Sequence, residues 1–281
     1  GAIYLGQGND QDYIREVERK KGKRPAFGLL EPRNNSATEY AAVAAQTARL
    51  LRPFHAAKAS KLLASAKAAY AWAKANPDRG LNPEEEKRLG NSVLLAYAAA
   101  ELFNATGDAA YNRDFVALYK EGALKAHWTF GWLPGLVRWA YVNSKQPGVD
   151  EGIRGEMVAS IKEGADFNAK QTRKSPYRNG SRVGISHGWG SFNGGGHQAF
   201  GCILAYLLTR DPQYLAAASL NADFQLGANP LSKTFITGLG ARPPVQPQLN
   251  PLLYSGPEKT GKTAPGITVY GLAGQPKDGC V

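Results

Sequence analysis

Apolar residues recur every three to four positions along most of the chain, and this pattern predicts a series of α-helices. Alanine-rich segments at residues 40–51, 54–75 and 83–105 come first, with prolines next to their ends. Segments with the same period follow at residues 108–122, 133–143, 150–170, 192–208 and 212–226. Residues 1–33 are polar and predict loops with a short helix over 10–20. No segment before the C-terminal tail alternates as a strand does, so the sequence predicts an all-α protein.

Two local patterns predict how helices begin. Residues 36–39 form an S-x-x-E capping box, which is expected to open the first alanine-rich helix. The pattern T-x-D-x-x-Y occurs at 106–111 and again at 209–214, each time between two apolar helical segments. We expect the Asp to cap the second helix and the Tyr to pack back against the first. Repeated helical hairpins build bundles, solenoids or toroids, and two copies do not choose among these.

The composition is that of a globular protein with a basic surface. The 281 residues are expected to form one domain over 1–281. Lys and Arg total 34 against 23 acidic residues, a net charge of +11. These charges are dispersed apart from residues 19–24, and no nucleic-acid-binding signature accompanies them. No apolar run reaches the ~20 residues of a membrane span. We therefore expect no nucleic acid and no membrane as partner.

The cysteines and acidic residues predict neither a metal nor any other cofactor. Cys202 and Cys280 are the only cysteines, and their spacing fits no zinc site. Cys202 lies in an apolar helical run and is predicted to be a buried, small hydrophobic residue. No dense acidic loop of the calcium-binding type is present. Residues 227–281 are rich in Pro and Gly, and such a long loop-rich tail is more often functional than idle in a compact domain.

The chain carries five short motifs in a fixed order. They are SATEYAAVAAQTAR at 36–49, AKAAYAWAKANP at 66–77, AAELFNATGD at 99–108, WGS at 189–191 and LGANPLSKTFITGLG at 226–240. In sequence and in order these motifs resemble glycoside hydrolase family 9, the cellulase-like catalytic domains. The last motif is the most specific of the five. The resemblance extends over residues 34–270.

This resemblance implies a fold and an activity. The family fold is an (α/α)6 toroid, the six-hairpin glycosidase fold, which we expect to be incomplete at both ends here, with a loop-rich C-terminal segment. Its open groove binds a β-1,4-linked glucan. Family members are usually secreted or periplasmic, and we expect the same of this protein from the resemblance alone. They invert the configuration at the anomeric carbon, using an Asp pair that activates water and a Glu that protonates the leaving oxygen. Inversion needs the carboxyl groups about 6.5–9.5 Å apart so that the water fits between them.

The sequence also departs from the family pattern. No Asp-Ala-Gly-Asp motif occurs, and we assign no catalytic carboxylate in this chain. Where the family's cellulases have His-His-Arg, residues 248–250 read Gln-Leu-Asn, which retains hydrogen-bonding groups but no charge. The preferred interpretation is a fragment of a longer polypeptide, whose partner is then the missing part of the same domain. The alternative is a divergent relative whose carboxylates come from another chain or are absent.

Eight residues are predicted to bind substrate. Tryptophan faces stack on sugars, and the glycines between 188 and 196 allow close approach of a ligand to the backbone. The predicted residues are Trp128, Trp132, His187, Trp189, Asn229, Arg242, Gln248 and Asn250. Core packing is the alternative for the tryptophans, and a hydrogen bond to a nearby carbonyl is the alternative for His187. Thr237 belongs to the same loop as Asn229, and Phe235 is expected to pack beneath that loop.

Two other functions compete with hydrolysis of β-glucan. The +11 charge and the available Tyr, His and Arg residues also fit a polysaccharide lyase-like toroid acting on acidic glycans. The missing carboxylates and the replaced His-His-Arg fit a non-catalytic carbohydrate-binding or assembly component.

Overall fold

The computed structural model describes residues 32–79, 91–125, 133–180, 192–244 and 265–269, and for residues 91, 125 and 192–197 it describes the backbone alone. These ranges contain eight α-helices. They are α1 (Asn34–Leu51), α2 (Ala56–Ala75), α3 (Asn91–Thr106), α4 (Ala109–Lys120), α5 (Leu133–Val142), α6 (Glu151–Lys174), α7 (Phe192–Thr209) and α8 (Pro212–Leu226). A short 3-10 turn covers Ala123–Lys125.

The predicted helical segments are confirmed wherever the structure describes them, with ends that shift by a few residues. The predicted helix over 10–20 and the predicted start of the third helix at residue 83 lie outside the described residues. Within the described ranges no strand is present, and an isolated antiparallel bridge joins Ile236 to Thr268. The helices of this part of the chain are all too short or too polar to cross a membrane.

The chain divides into two compact units, residues 1–158 and 159–281, and the division falls inside α6. In the first unit, α3 packs against α1, α4 and α5, and α1 also packs against α2. Small residues such as Ala41, Ala45 and Ala99 are fully buried at these contacts, which lets the helices approach closely. The rings of Phe115 and Tyr141 stack at 4.0 Å in the same core. Burying each such ring contributes about 1.5–3 kcal/mol.

The predicted capping box at residues 36–39 is wrong. Helix α1 begins two residues earlier, at Asn34, and the N-cap position is held by Arg33, whose side chain does not cap the helix. The reason is a tertiary contact, because Asn34 Nδ2 donates to the carbonyl oxygens of Ala73 (2.6 Å) and Asn76 (2.7 Å) at the end of α2. This anchor draws Asn34 into the helix and leaves Ser36 inside the first turn.

The two T-x-D-x-x-Y corners have the same local geometry, and the predicted Asp caps are confirmed. Asp108 accepts a hydrogen bond from Ala110 N at 2.9 Å, and Asp211 accepts one from Gln213 N at 3.0 Å. The corresponding tyrosines reach a third helix. Tyr111 lies edge-on to Tyr70 of α2 with ring centroids 5.6 Å apart, and Tyr214 donates to Asp166 of α6 at 2.5 Å. Each Tyr therefore ties its hairpin to a neighbouring helix.

The second unit is built on the α7–α8 hairpin. Cys202 of α7 is fully buried, as predicted, and burial raises the pKa of its thiol to about 11. Asn221 of α8 is also fully buried and uses its whole amide group. Its Nδ2 donates to Thr172 Oγ1 (2.9 Å) and Ala217 O (2.8 Å), and its Oδ1 accepts from Gly180 N (2.7 Å). Asn221 thus fixes the chain where it leaves α6.

Candidate functional site

The loop that follows α8 carries two of the predicted sugar-binding residues. Helix α8 ends at Leu226, and the next residue, Gly227, has a φ of +132°, a conformation that favours glycine. Asn229 comes next and is buried. Its Nδ2 donates to the carbonyl oxygens of Phe224 and Lys233, both at 2.7 Å, and its Oδ1 accepts from Leu231 N at 3.1 Å. Both amide hydrogens are therefore used to shape the loop.

Hydrogen bonds join this loop to residues 265–269. Phe235 N donates to Gln225 O (2.9 Å), while Phe235 O accepts from Val269 N (2.8 Å). The backbone of Thr237 continues the connection, since its N–H donates to Ile267 O at 2.9 Å. The Thr237 hydroxyl accepts from Ile267 N at 2.9 Å. These bonds fix the position of the loop from both sides.

Side-chain packing also supports the loop. Phe235 is buried, and its ring lies edge-on to Phe224 with centroids 6.0 Å apart, in agreement with the expectation that it packs beneath the loop. Gly238 has a φ of +71°, and a Cβ there would lie 2.8 Å from Pro265 Cβ. Gly240 has a φ of +77°, and a Cβ there would lie 2.9 Å from Thr234 Cγ2. Only glycine fits either position without strain.

The described part of the site places Asn229 and Arg242 differently. Asn229 is 5% exposed and engaged within the loop, whereas Arg242 is exposed beyond the last loop glycine. Arg242 is thus open to a ligand, and direct contact of Asn229 with a sugar stays a prediction. The remaining predicted residues lie outside the described residues. These are Trp128, Trp132, His187, Trp189, Gln248 and Asn250.

The first unit contains a buried polar cluster that sequence reasoning missed. Glu101 of α3 is 1% exposed and pairs with Arg49 of α1, whose Nη2 donates to Glu101 Oε2 at 3.0 Å. Gln46 Nε2 donates to Glu101 Oε1 (3.0 Å) and to the Tyr97 hydroxyl (3.2 Å). Burial, and then the charge of Glu101, raise the pKa of Tyr97 to about 12. The sequence does contain one indication of this cluster, because Glu101 is a charged residue inside the apolar motif at 99–102.

Three of the described carboxylates have structural roles. Glu101 is the one buried carboxylate in the described ranges, and its charge is compensated by Arg49. Asp108 and Asp211 cap helices, as shown above. No group of three His, Cys, Asp or Glu side chains that could hold a metal ion is found in this part of the chain.

Comparison with known proteins decides the family. The family model described as Glycosyl hydrolase family 9 matches residues 1–277, which is nearly the whole chain. The chain belongs to glycosyl hydrolase family 9. The family match begins at residue 1, earlier than the resemblance over 34–270 that the motifs alone indicated.

Family 9 proteins with known names and structures are similar to this chain. Endoglucanase D of Acetivibrio thermocellus is 27% identical over 256 residues, which is 88% of this chain and 40% of that protein. A xyloglucan-specific endo-beta-1,4-glucanase of Bacteroides ovatus, BoGH9A, is 24% identical over 84% of this chain and 43% of that protein. The crystal structure of a metagenome-derived glycoside hydrolase family 9 endoglucanase is 26% identical with a TM-score of 0.77, covering 98% of this chain and 50% of that one.

These comparisons confirm the expected fold class. The described residues are helical, and the similar solved structures belong to the family whose fold is the (α/α)6 toroid. The chain spans about half the length of these structures and about two fifths of Endoglucanase D.

Proposed function

We propose that this chain supplies the central part of a secreted, inverting glycoside hydrolase that cleaves β-1,4-linked glucan. The observation that carries the proposal is the family 9 match over residues 1–277. The endoglucanase names of the similar proteins support a β-1,4-glucan as substrate, and xyloglucan is a second polymer to test because one relative is named for it.

The loop after α8 has the properties of a groove border. It is fixed by Asn229 on one side and by residues 265–269 on the other, so its exposed end is held in place. Arg242 at that end is accessible and can donate several hydrogen bonds to sugar hydroxyls. In our proposal the remaining groove contacts are stacking by aromatic faces and hydrogen bonds from amides and His. The residues proposed for these contacts are Trp128, Trp132, His187, Trp189, Gln248 and Asn250.

The test uses the intact protein with carboxymethylcellulose, mixed-linkage β-glucan and xyloglucan. We expect new reducing ends from at least one polymer, and we expect proton NMR to show the α-anomer of the product first, as inversion of a β-linkage requires. Arg242→Gln should raise KM without changing the thermal unfolding curve. Arg113→Gln, an equal loss of charge at an exposed position on α4, is the matched control. Absence of reducing ends with every β-glucan would contradict the proposal.

A second candidate is carbohydrate binding without cleavage, which the Gln-Leu-Asn sequence at 248–250 favours. Affinity electrophoresis in gels containing each glucan separates the two functions. Retardation of the protein together with no reducing ends supports binding alone. A lyase acting on acidic glycans, which the +11 charge favours, would instead release an unsaturated product that absorbs ultraviolet light.

A further inference from the structure

A cavity of about 190 Å³ lies between α1, α2 and α3 in the first unit. The cavity is an order of magnitude larger than the space of ~10–15 Å³ that one water molecule needs. It is smaller than the roughly 300–1,000 Å³ of sites for drug-sized ligands. Its size therefore suits one small ligand. The lining residues are Ala48, Arg49, Arg52, Ala59, Ser60, Leu63 and Ala105.

The charge of this cavity is positive. Two of its lining residues are arginines and none is a carboxylate. The sequence from 40 to 77, which covers the rest of α1 after Glu39 and the whole of α2, contains no Asp or Glu. Among the described contacts, the negative charge that compensates these arginines is Glu101, whose Oε2 lies 3.0 Å from Arg49 Nη2. One positive charge, that of Arg52, is left over.

Both arginines have donors available to a ligand. Arg49 uses one terminal nitrogen to donate to Glu101, and its side chain is 34% exposed. Arg52 is exposed, and within the described ranges its side chain makes no ion pair and no hydrogen bond. A guanidinium group presents its N–H donors in a planar fork that matches the two oxygens of a carboxylate or similar oxyanion.

The other walls of the cavity refine the ligand class. Ala48, Ala59 and Leu63 provide an apolar surface that a purely inorganic ion does not use. Ser60 Oγ donates to Ala56 O at 3.0 Å, which leaves the Ser60 oxygen as an acceptor for a ligand hydroxyl. A small ligand with an oxyanion, a hydroxyl group and an apolar face would complement the arginines, Ser60 and the apolar side chains of this cavity.

We propose that this cavity binds the carboxylate of an acidic sugar residue such as a glucuronate. The carboxylate lies against Arg49 and Arg52, a ring hydroxyl donates to Ser60, and a C–H face of the ring packs on the alanine and leucine side chains. Binding here does not require hydrolysis, and it would hold equally in a protein that binds glucan without cleaving it.

The test is isothermal titration calorimetry of the intact protein at low ionic strength with glucuronate, glucose, sulfate and phosphate. We expect glucuronate to bind with a Kd on the order of millimolar and glucose not to bind. Arg52→Gln should weaken glucuronate about tenfold, the loss expected for one charge-assisted hydrogen bond. Arg113→Gln removes the same charge from α4, which does not line the cavity, and should leave the affinity unchanged.

A second variant separates the cavity from surface charge in general. Ala105→Leu fills the cavity from α3 without removing a charge, and we expect it to abolish glucuronate binding while circular dichroism confirms that the variant is folded. Equal weakening by Arg52→Gln and Arg113→Gln, unchanged binding in Ala105→Leu, or no glucuronate binding at all would overturn the proposal. Sulfate or phosphate binding as tightly as glucuronate would also overturn it, because the site would then be one for free inorganic anions.

Discussion

Replacing Arg49 by Met tests whether the Arg49–Glu101 pair holds α1 against α3. The substitution keeps most of the volume of the side chain and removes the only positive group that the described contacts place on Glu101. Glu101 is 1% exposed, so its carboxylate would remain buried with one hydrogen bond, from Gln46. We expect a loss of folding free energy that is large for a single substitution.

The magnitude follows from the burial of each partner. Removing one partner of a buried ion pair costs about 3–5 kcal/mol, because the remaining charge is left without compensation. Arg49 keeps 34% exposure, and water that enters near it will partly solvate Glu101. The lower end of that range, about 3 kcal/mol, is therefore expected. In the Glu101→Gln background the same Arg49→Met change removes only one hydrogen bond to a neutral group, about 1 kcal/mol.

The measurement is urea unfolding followed by far-ultraviolet circular dichroism, applied to both single variants and the double variant. The difference between the two backgrounds gives a coupling energy of about 2 kcal/mol. Arg113→Met, at an exposed position on α4, serves as control and should lie within about 0.5 kcal/mol of the parent. If Arg49→Met costs the same in both backgrounds, the pair does not hold these helices together and the reasoning is refuted.

Four further predictions concern residues in α6 and in the part of the chain that follows it. Gly155→Ala, in open space on the surface of α6, should stabilise the protein by about 1 kcal/mol in urea unfolding. Gly180→Ala, whose Cβ would lie 2.8 Å from a neighbouring side chain, should instead destabilise it by about 1–3 kcal/mol. The Tyr214 hydroxyl lowers the pKa of Asp166, so the hydrogen bond between them stabilises the fold above the ordinary Asp pKa, and this stabilisation is lost as the pH falls below it. The difference in unfolding free energy between the parent and Tyr214→Phe should therefore shrink from pH 7 toward about pH 3. A difference that stays constant with pH would contradict this. Cys202 should resist iodoacetamide in the folded protein and react only in urea, as mass spectrometry of its peptide would show, because its thiol is buried with a raised pKa.

The sequence predicted much of the local structure correctly for a physical reason. A helix forms from contacts between residues three and four apart, and these contacts repeat in the order of the apolar residues. The helical segments were therefore visible, and so were the two Asp caps, which bond to an N–H only two residues away. The burial of Cys202 followed from its apolar helical neighbours. The five ordered motifs also indicated the family that the comparison with known proteins then established.

Tertiary structure decided the features that depend on residues far apart in sequence. Helix α1 starts at Asn34 because the Asn34 amide bonds to carbonyls 39 and 42 residues away, and this contact overrides the local capping signal. The pairing of Glu101 with Arg49 spans 52 residues. The loop after α8 is held at Thr237 by a hydrogen bond to Ile267, which lies 30 residues further along the chain. Local patterns carry no information about which distant group will satisfy a buried polar atom, because that choice is made only when the helices pack.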